Sequence, residues 1–433
     1  MTSMKRSSSS KANWWSAATR KVRAAKPSAP TPSPAARRVR CTAPSSRAPA
    51  ACCSRSSTTN EHPFPIPPFF LFQEFPMKRS LSSLASVAVA AALLAGAAAA
   101  QVPAGPKLAV QAITQVAPNL PQYTKVDQPL LRDGIAKATG GRVEVTLSSW
   151  PERNVNGPEV LRLVRSGQVD IAAAPLTTVS GDVPMLDGVD LAGMNADIAQ
   201  ARKVADAMVP VANKELQRLG IRLVATYPFS GQMLFCRKPV ASLADLKGLK
   251  VRTNGPSASD LIKSLGGQPV SLAFGEVYTA LERGTVDCGI TGAGSGNGVK
   301  WPEVTTHLYT LPLSWSTSGY FVNLAWWNKL DPAIRAQFEK TMSEVQEAQW
   351  KLGVEATNDG IACNVGRAAD CKLHTLMKKP MVEAKPEASV GASLRKHLAD
   401  DVLPGWIKRC GERCAAVYAD VIAPITGIKY AAK

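Results

Sequence analysis

Short apolar runs alternate with amphipathic segments along most of the chain after residue 106. Runs of four to seven apolar and β-branched residues predict strands, whereas apolar positions three and four apart predict helices. The first half is predicted to contain strands at 107–113, 143–148, 169–174 and 221–227, and helices at 127–139, 157–166 and 198–219. Because strands and helices alternate, we expect an α/β fold with mainly parallel sheets.

The second half of the chain continues this alternation. A short strand is predicted at 249–252, and Ser257 to Asp260 has the form of a capping box that opens a helix ending at Gly266 and Gly267. The apolar runs that contain Cys236 and Cys288 are typical of strands. Two similar α/β lobes fit this pattern better than one.

Residues 331–361 predict one unusually long helix, because apolar side chains recur near helical spacing on one side. At about 1.5 Å per residue, such a helix is roughly 45 Å long, which is more than one lobe requires. We therefore expect it to span both lobes. The apolar positions are Ile334, Phe338, Met342, Val345 and Trp350.

The front of the chain differs from the rest. Residues 1–76 are rich in Ser, Pro, Ala and Arg, and we interpret them as a disordered segment outside the native protein. Residues 77–100 have the form of a signal peptide that starts at Met77, with a charged start, a short apolar stretch and an Ala-rich exit. The alternatives are a basic tail that binds nucleic acid or lipid, and a transmembrane anchor over 81–100.

The net charge of +18 is concentrated in this front part. Residues 1–76 carry twelve basic and two acidic side chains, whereas residues 101–433 carry 37 basic and 31 acidic ones. The exported part is therefore only mildly basic. We expect no nucleic-acid partner.

Six cysteines lie in the exported part, and an even number behind an export signal indicates disulfides. Fifteen pairings are possible, but local spacing favours Cys363 with Cys371 and Cys410 with Cys414, which leaves Cys236 for Cys288. A zinc site is less well supported, because neither close pair has the two-residue spacing of a zinc knuckle. We predict no metal site.

Motifs for catalysis or nucleotide binding are missing. The glycine run at 292–298 lacks the dinucleotide-binding spacing, and Ser295 lacks the flanking residues of a nucleophile elbow. We expect this run to be either a flexible loop whose N–H groups approach a ligand or a plain surface turn. We predict no cofactor and no catalytic residue.

Three motifs carry a family resemblance: Leu-Lys-Gly-Leu-Lys-Val-Arg at 246–252, Leu-Gly-Gly-Gln-Pro-Val at 265–270, and the segment 273–287. With them the chain resembles the solute-binding proteins of tripartite ATP-independent periplasmic (TRAP) transporters, of the dicarboxylate-binding type, from about residue 107 to 422. The resemblance implies a two-lobed periplasmic binding protein fold with a long helix spanning both lobes. It also implies capture of a small organic acid in the periplasm and its delivery to membrane permease subunits, without catalysis.

The same resemblance implies a division of the exported chain. We expect lobe I at 101–229, lobe II at 230–317, a return to lobe I with the long helix at 318–360, and a C-terminal part at 361–433 that packs mainly on lobe II.

Arg252 takes the place of the family's carboxylate-binding arginine in the Lys-Gly-Leu-Lys-Val-Arg motif. A guanidinium offers two parallel N–H donors to a carboxylate, and Arg252 stands at the carboxyl end of a strand, where open α/β sheets bind ligands. Phe274 matches an aromatic residue that packs against ligand.

The chain departs from the family pattern at three places. Thr291 stands where a ligand-contacting Asn is expected, Gln232 replaces the arginine of an aromatic-Gly-Arg segment, and 363–371 has the form of an inserted loop. We expect Thr291 and Gln232 to contact the ligand. Further cleft candidates are Asn297, Trp315 and Trp150.

Two other functions stay open at this point. The protein could be a periplasmic ligand sensor that contacts a receptor, or an enzyme that acts on a carboxylic acid with Ser295 as nucleophile. The ligand is also open, since the changes at Gln232 and Thr291 argue against assuming a C4 dicarboxylate. Sugar acids, keto acids and aromatic acids all fit.

Overall fold

The computed structural model describes residue 102 and residues 104–430. The predicted disordered segment at 1–76 and signal peptide at 77–100 lie outside the described residues. Among the residues that the structure describes, no helix has both the length and the apolar character needed to cross a bilayer.

Eleven strands form two sheets in the described part of the chain. The first sheet has the order β2-β1-β3-β10-β4, and the second has the order β11-β9-β5-β8-β6-β7. The strands are β1 Leu108–Ile113, β2 Val143–Ser148, β3 Ile171–Pro175, β4 Ile221–Tyr227, β5 Gln232–Cys236, β6 Lys250–Thr253, β7 Gln268–Ser271, β8 Cys288–Gly292, β9 His307–Tyr309, β10 Ser318–Asn323 and β11 Val382–Ala384.

Helices connect and cover these strands. The α-helices of the described residues are α1 Asp133–Ala138, α2 Val160–Arg165, α3 Ile198–Gln217, α4 Pro256–Ser264, α5 Val277–Arg283, α6 Ala293–Gly298, α7 Leu324–Lys329, α8 Pro332–Asn364, α9 Val390–His397, α10 Leu403–Cys410, α11 Glu412–Val417 and α12 Ala423–Thr426. Wider π-helical turns occupy Gln122–Arg132, Leu398–Val402 and Tyr418–Ile422. The helix predicted at 127–139 thus begins earlier, at Gln122, and contains Pro129.

The expectation of mainly parallel sheets is confirmed, although one strand of each sheet runs against all the others. Strand β10 is antiparallel to β3 and β4, and β5 is antiparallel to β8 and β9. These two strands are the ones by which the chain enters a sheet after crossing from the other. A strand that arrives without a covering crossover helix can run in the opposite direction to its neighbours.

The fold is the two-lobed α/β architecture expected from the resemblance. The chain leaves the first sheet after β4, builds the second from β5 to β9, and returns with β10. We propose these sheets as the centres of lobes I and II, with the boundaries given above. The C-terminal helices contact α3 of the first lobe and α4 of the second, and β11 adds to the second sheet.

The predicted long helix is present as α8, with Asp331 as its N-terminal cap. Its first half packs Phe338 and Val345 into the core of lobe I, and its second half lies against α6. A side chain at Gly360 would collide with the backbone of Gly294, so glycines at both positions let the two helices touch. Helix α8 therefore joins the lobes.

The three predicted disulfides are confirmed: Cys236–Cys288, Cys363–Cys371 and Cys410–Cys414. Cys236 and Cys288 are register partners on the antiparallel strands β5 and β8, which brings the two sulfurs together.

Two local predictions are wrong. The glycine run at 292–298 is neither a flexible loop nor a surface turn: Gly292 ends β8, and the other residues form the buried helix α6, whose small side chains allow close contact with α8. The capping box at Ser257 is also absent, since α4 begins at Pro256 and the Ser257 hydroxyl donates instead to Asp187, at 3.0 Å.

Candidate functional site

A cleft of about 570 Å³ lies between the two sheets. Polar residues at its walls follow the carboxyl ends of strands: Thr177 and Thr178 come after β3, Asn254 after β6, and Ser295 after β8. Side chains at this edge of a sheet can converge on one ligand. The cleft is large enough for a small organic molecule.

Arg252 lines this cleft from β6 and is only 5% exposed. Its Nε donates to the carbonyl oxygen of Leu272 at 3.1 Å, and its Nη1 donates to that of Ile290 at 2.9 Å. Among the described residues, no carboxylate pairs with it. Burial lowers its pKa to about 10, which leaves the guanidinium charged at neutral pH.

Two aromatic rings flank this guanidinium. The Cζ atom of Arg252 lies 5.9 Å from the ring centroids of both Phe274 and Trp301. Phe274 lines the cleft, whereas Trp301 is fully buried beside it, with 5.6 Å between the two ring centroids. Both rings stabilise the guanidinium charge through cation–π interactions. No local pattern indicates a role for Trp301, because its contact with Arg252 joins residues 49 positions apart.

Three buried polar side chains of lobe II also line the cleft: Gln232, Thr291 and Ser295 are 3%, 4% and 5% exposed. Gln232 Nε2 donates to the carbonyl oxygen of Ser230 at 2.9 Å. In the described part of the chain, the Gln232 Oε1 atom and the hydroxyls of Thr291 and Ser295 have no hydrogen-bond partner. They are positioned to bond to a ligand.

Lobe I contributes Trp150 and Glu159 to the opposite wall. The indole Nε1 of Trp150 donates to the carbonyl oxygen of Ala173 at 3.1 Å, so this ring offers the cleft an apolar surface. Glu159 is half-buried, and its Oε1 accepts the backbone N–H of Asn156 at 2.8 Å.

Asp187 connects the lobes beside the cleft. Its carboxylate accepts hydrogen bonds from Thr177 of lobe I at 2.7 Å and Ser257 of lobe II at 3.0 Å, and it lies 3.4 Å from an Arg409 nitrogen. Burial raises the pKa of Asp187. These contacts hold the two walls together at one end of the cleft.

The structure brings five of the seven predicted residues to the cleft: Arg252, Gln232, Phe274, Thr291 and Trp150. Asn297 lies behind the wall instead, where its Nδ2 donates to Asn364 Oδ1 at 2.8 Å and to the Thr375 carbonyl oxygen at 2.9 Å.

Trp315 is also outside the cleft lining, because its side chain packs in the hydrophobic core. Its backbone N–H donates to Asp190 at 2.9 Å, and its indole Nε1 lies 3.4 Å from the Asn195 carbonyl oxygen. These partners come from lobe I segments far away in sequence.

Sequence reasoning missed several small polar residues of the lining. They are Thr177, Thr178, Ser180, Asn254, Ser259 and Ser271. All but Ser180 lie at or just after the end of a strand or in the first turn of a helix, where side chains face the carboxyl edge of a sheet.

Residues 113–386, more than half of the chain, match the family described as bacterial extracellular solute-binding protein, family 7. Among curated proteins, the 2,3-diketo-L-gulonate-binding periplasmic protein of Escherichia coli is 28% identical over 216 residues. That alignment covers 49% of this chain and 66% of the relative.

Two solved structures show the same fold. A TRAP periplasmic solute-binding protein from Desulfovibrio salexigens, with bound orotic acid, matches with a TM-score of 0.64 at 20% identity, over 74% of this chain and 100% of that one. The sugar acid-binding protein of Advenella mimigardefordensis, in complex with galactonate, matches with a TM-score of 0.65 at 15% identity, over 74% and 99%.

Proposed function

Because the chain belongs to family 7 of the bacterial extracellular solute-binding proteins, we propose that it captures a small organic acid between its lobes. Arg252 holds the carboxylate, while Gln232, Thr291 and Ser295 bind other polar atoms of the ligand. The loaded protein then delivers the acid to the membrane subunits of a TRAP transporter.

The observation that carries this proposal is the buried charge of Arg252. Burying a cation without an anionic partner is costly, and a ligand carboxylate in the cleft offsets that cost. A guanidinium can also hold both carboxylate oxygens through parallel N–H donors. The rings of Phe274 and Trp301 beside the guanidinium exclude water and strengthen this interaction.

The similar proteins support an acid ligand. The Escherichia coli relative is named for binding 2,3-diketo-L-gulonate, and the two solved structures contain orotic acid and galactonate. Each of these ligands carries a carboxylate.

We propose that the protein binds without turnover and works in the periplasm. In the part of the chain that the structure describes, Ser295 has no hydrogen-bonded base to activate it, which argues against a role as nucleophile. The three disulfides suit an oxidising compartment.

Ligand capture requires the lobes to open and close. The two crossing segments run side by side, since the Phe229 N–H donates to Trp315 and the Gln232 N–H donates to Ser314. Such paired crossings are a natural hinge, and closure buries the ligand between the lobes.

A thermal-shift screen tests this function. The purified protein, freed of carried-over ligand by unfolding and refolding, is heated with a panel of organic acids and with the primary amide of each acid. An acid that binds the folded state raises the unfolding midpoint by an amount that grows with the logarithm of its concentration above Kd, whereas its uncharged amide does not.

Replacement of Arg252 by Ala should abolish the shift, and Arg283→Ala, which removes an exposed arginine from the same lobe, should not. A shift produced equally by acid and amide, or one that persists in Arg252→Ala, contradicts the proposed function.

A further inference from the structure

The cleft has too few positive charges to pair with a ligand that carries two carboxylates. Among the described residues that line the cleft, Arg252 and Glu159 are the two charged side chains. The single cation can neutralise one carboxylate. A second carboxylate would lie in a largely apolar cleft without a counter-charge, and would share it with Glu159.

The Gln232 side chain of lobe II faces the cleft with a hydrogen-bond acceptor. The Gln232 amide is held by its Nε2, which donates to the Ser230 carbonyl oxygen at 2.9 Å and lies beside Gly292. This orientation directs the amide oxygen, which can only accept, away from that bond. No described residue donates to it.

The hydroxyls of Thr291 and Ser295 lie on the same lobe and also lack partners among the described residues. A hydroxyl can donate and accept, so these two groups adapt to either role. Gln232 Oε1 cannot, and a carboxylate placed near it would be repelled. Once a ligand displaces water from the cleft, an acceptor of this kind needs a donor from the ligand.

Resting on the proposed function, we propose that the ligand class is narrower: a monocarboxylate that carries an O–H or N–H donor, which Gln232 Oε1 accepts. Arg252 binds the acid group, and Gln232 selects against both a second carboxylate and a purely apolar chain. Hydroxylated sugar acids and acids with a ring N–H belong to this class, whereas simple dicarboxylates do not.

Matched acids test the two parts of the inference. Galactonate becomes galactarate when its terminal CH₂OH is replaced by a carboxylate, and hexanoate has the same chain length without hydroxyls. L-Threonate, L-tartrate and butanoate form a four-carbon set of the same design. Titration calorimetry of the full, refolded protein gives Kd for each acid.

We expect the hydroxy monocarboxylate of at least one set to bind about tenfold or more tightly than both of its partners. Gln232→Met keeps the side-chain length and removes the acceptor. This change should weaken binding of the hydroxy acid about fivefold or more and leave the affinity for the unsubstituted acid nearly unchanged. The ratio of the two affinities should therefore fall.

Gln268→Met, at an exposed glutamine of the same lobe, should change neither affinity. Thermal unfolding without ligand shows whether each variant is folded, and the selectivity of the unaltered protein tests the inference independently of both variants.

The outcomes separate the two proposals. A dicarboxylate that binds at least as tightly as its hydroxy monocarboxylate, and loses affinity in Arg252→Ala, overturns the narrower class and leaves the proposed function intact. The same holds for an unsubstituted acid that equals the hydroxy acid. If no acid binds, either from the two sets or from the thermal-shift panel, both proposals fail together.

Discussion

Two buried polar clusters, one in each lobe, differ in whether the protein itself supplies their partners. In lobe I the fully buried Asp127 accepts hydrogen bonds from Gln115 at 2.7 Å, from Gln349 at 3.0 Å and from the Tyr320 hydroxyl. In lobe II the buried Arg252 has two backbone acceptors but no anion among the described residues.

The difference shows that burial of a charge does not by itself mark a binding site. Asp127 has neutral donors on several sides, including Gln349 from the long helix α8, so its cluster fastens α8 to the first sheet. Arg252, Gln232 and Ser295 retain unused bonding capacity toward a cleft. Unpartnered buried groups at a cavity point to a ligand, whereas partnered ones point to architecture.

The largest predicted effect is on ligand affinity at Arg252. Arg252→Ala should weaken acid binding by about 30-fold to several thousandfold, because truncating one side of a buried charge pair costs roughly 2–5 kcal/mol. Titration calorimetry measures the change. The affinity of Arg283→Ala should stay within about twofold of that of the unaltered protein. An equal loss of affinity in both variants would contradict the claim that Arg252, unlike Asp127, waits for an anionic ligand.

The second predicted effect is a pH dependence of stability that comes from Asp127. Burial raises the pKa of Asp127 from 3.8 to about 6, so the folded protein holds this proton at a pH where the unfolded chain releases it. The unfolding free energy should therefore fall as pH rises from about 4 to 6, by up to about 3 kcal/mol, and this contribution should be constant above that range.

Urea unfolding at several pH values checks this sign. Asp127→Asn should lose that part of the slope, whereas Asp182→Asn, at an exposed position, should keep it. Acid affinity should persist in Asp127→Asn. An unchanged slope in Asp127→Asn would show that the lobe I cluster is not held as described.

The smallest predicted effect separates two neighbours on α6. Asn297 has its partners within the protein, so Asn297→Ala should lower the unfolding free energy by about 1–2 kcal/mol and change acid affinity less than twofold. Ser295→Ala should leave the unfolding free energy nearly unchanged and weaken acid binding several-fold. Urea unfolding and calorimetry on both variants measure the two quantities, and similar behaviour of the two would contradict the comparison.

Local patterns were enough to predict most elements and the disulfides. The alternation of apolar residues placed β1, β2 and β4, and the strand-like runs around Cys236 and Cys288 anticipated their pairing on β5 and β8. Arg252 was predicted from a short motif and a strand end, both of which are local features.

The failures depend on contacts between distant parts of the chain. The glycines at 292–298 predict a loop, because their local pattern does not show that α8 lies against them. Asn297 was predicted to contact the ligand, but it binds Thr375, which is 78 residues later in the chain. Strands β5 and β10 run antiparallel to their neighbours because the chain crosses from one lobe to the other just before each of them. No local sequence pattern encodes such a crossing.

The structure of a complex with the acid found in the thermal-shift screen tests the central claim most directly. The account predicts that both carboxylate oxygens lie about 3 Å from guanidinium nitrogens of Arg252, inside the cleft between the sheets. A ligand bound outside this cleft, or bound in it with its carboxylate directed away from Arg252, would contradict the account.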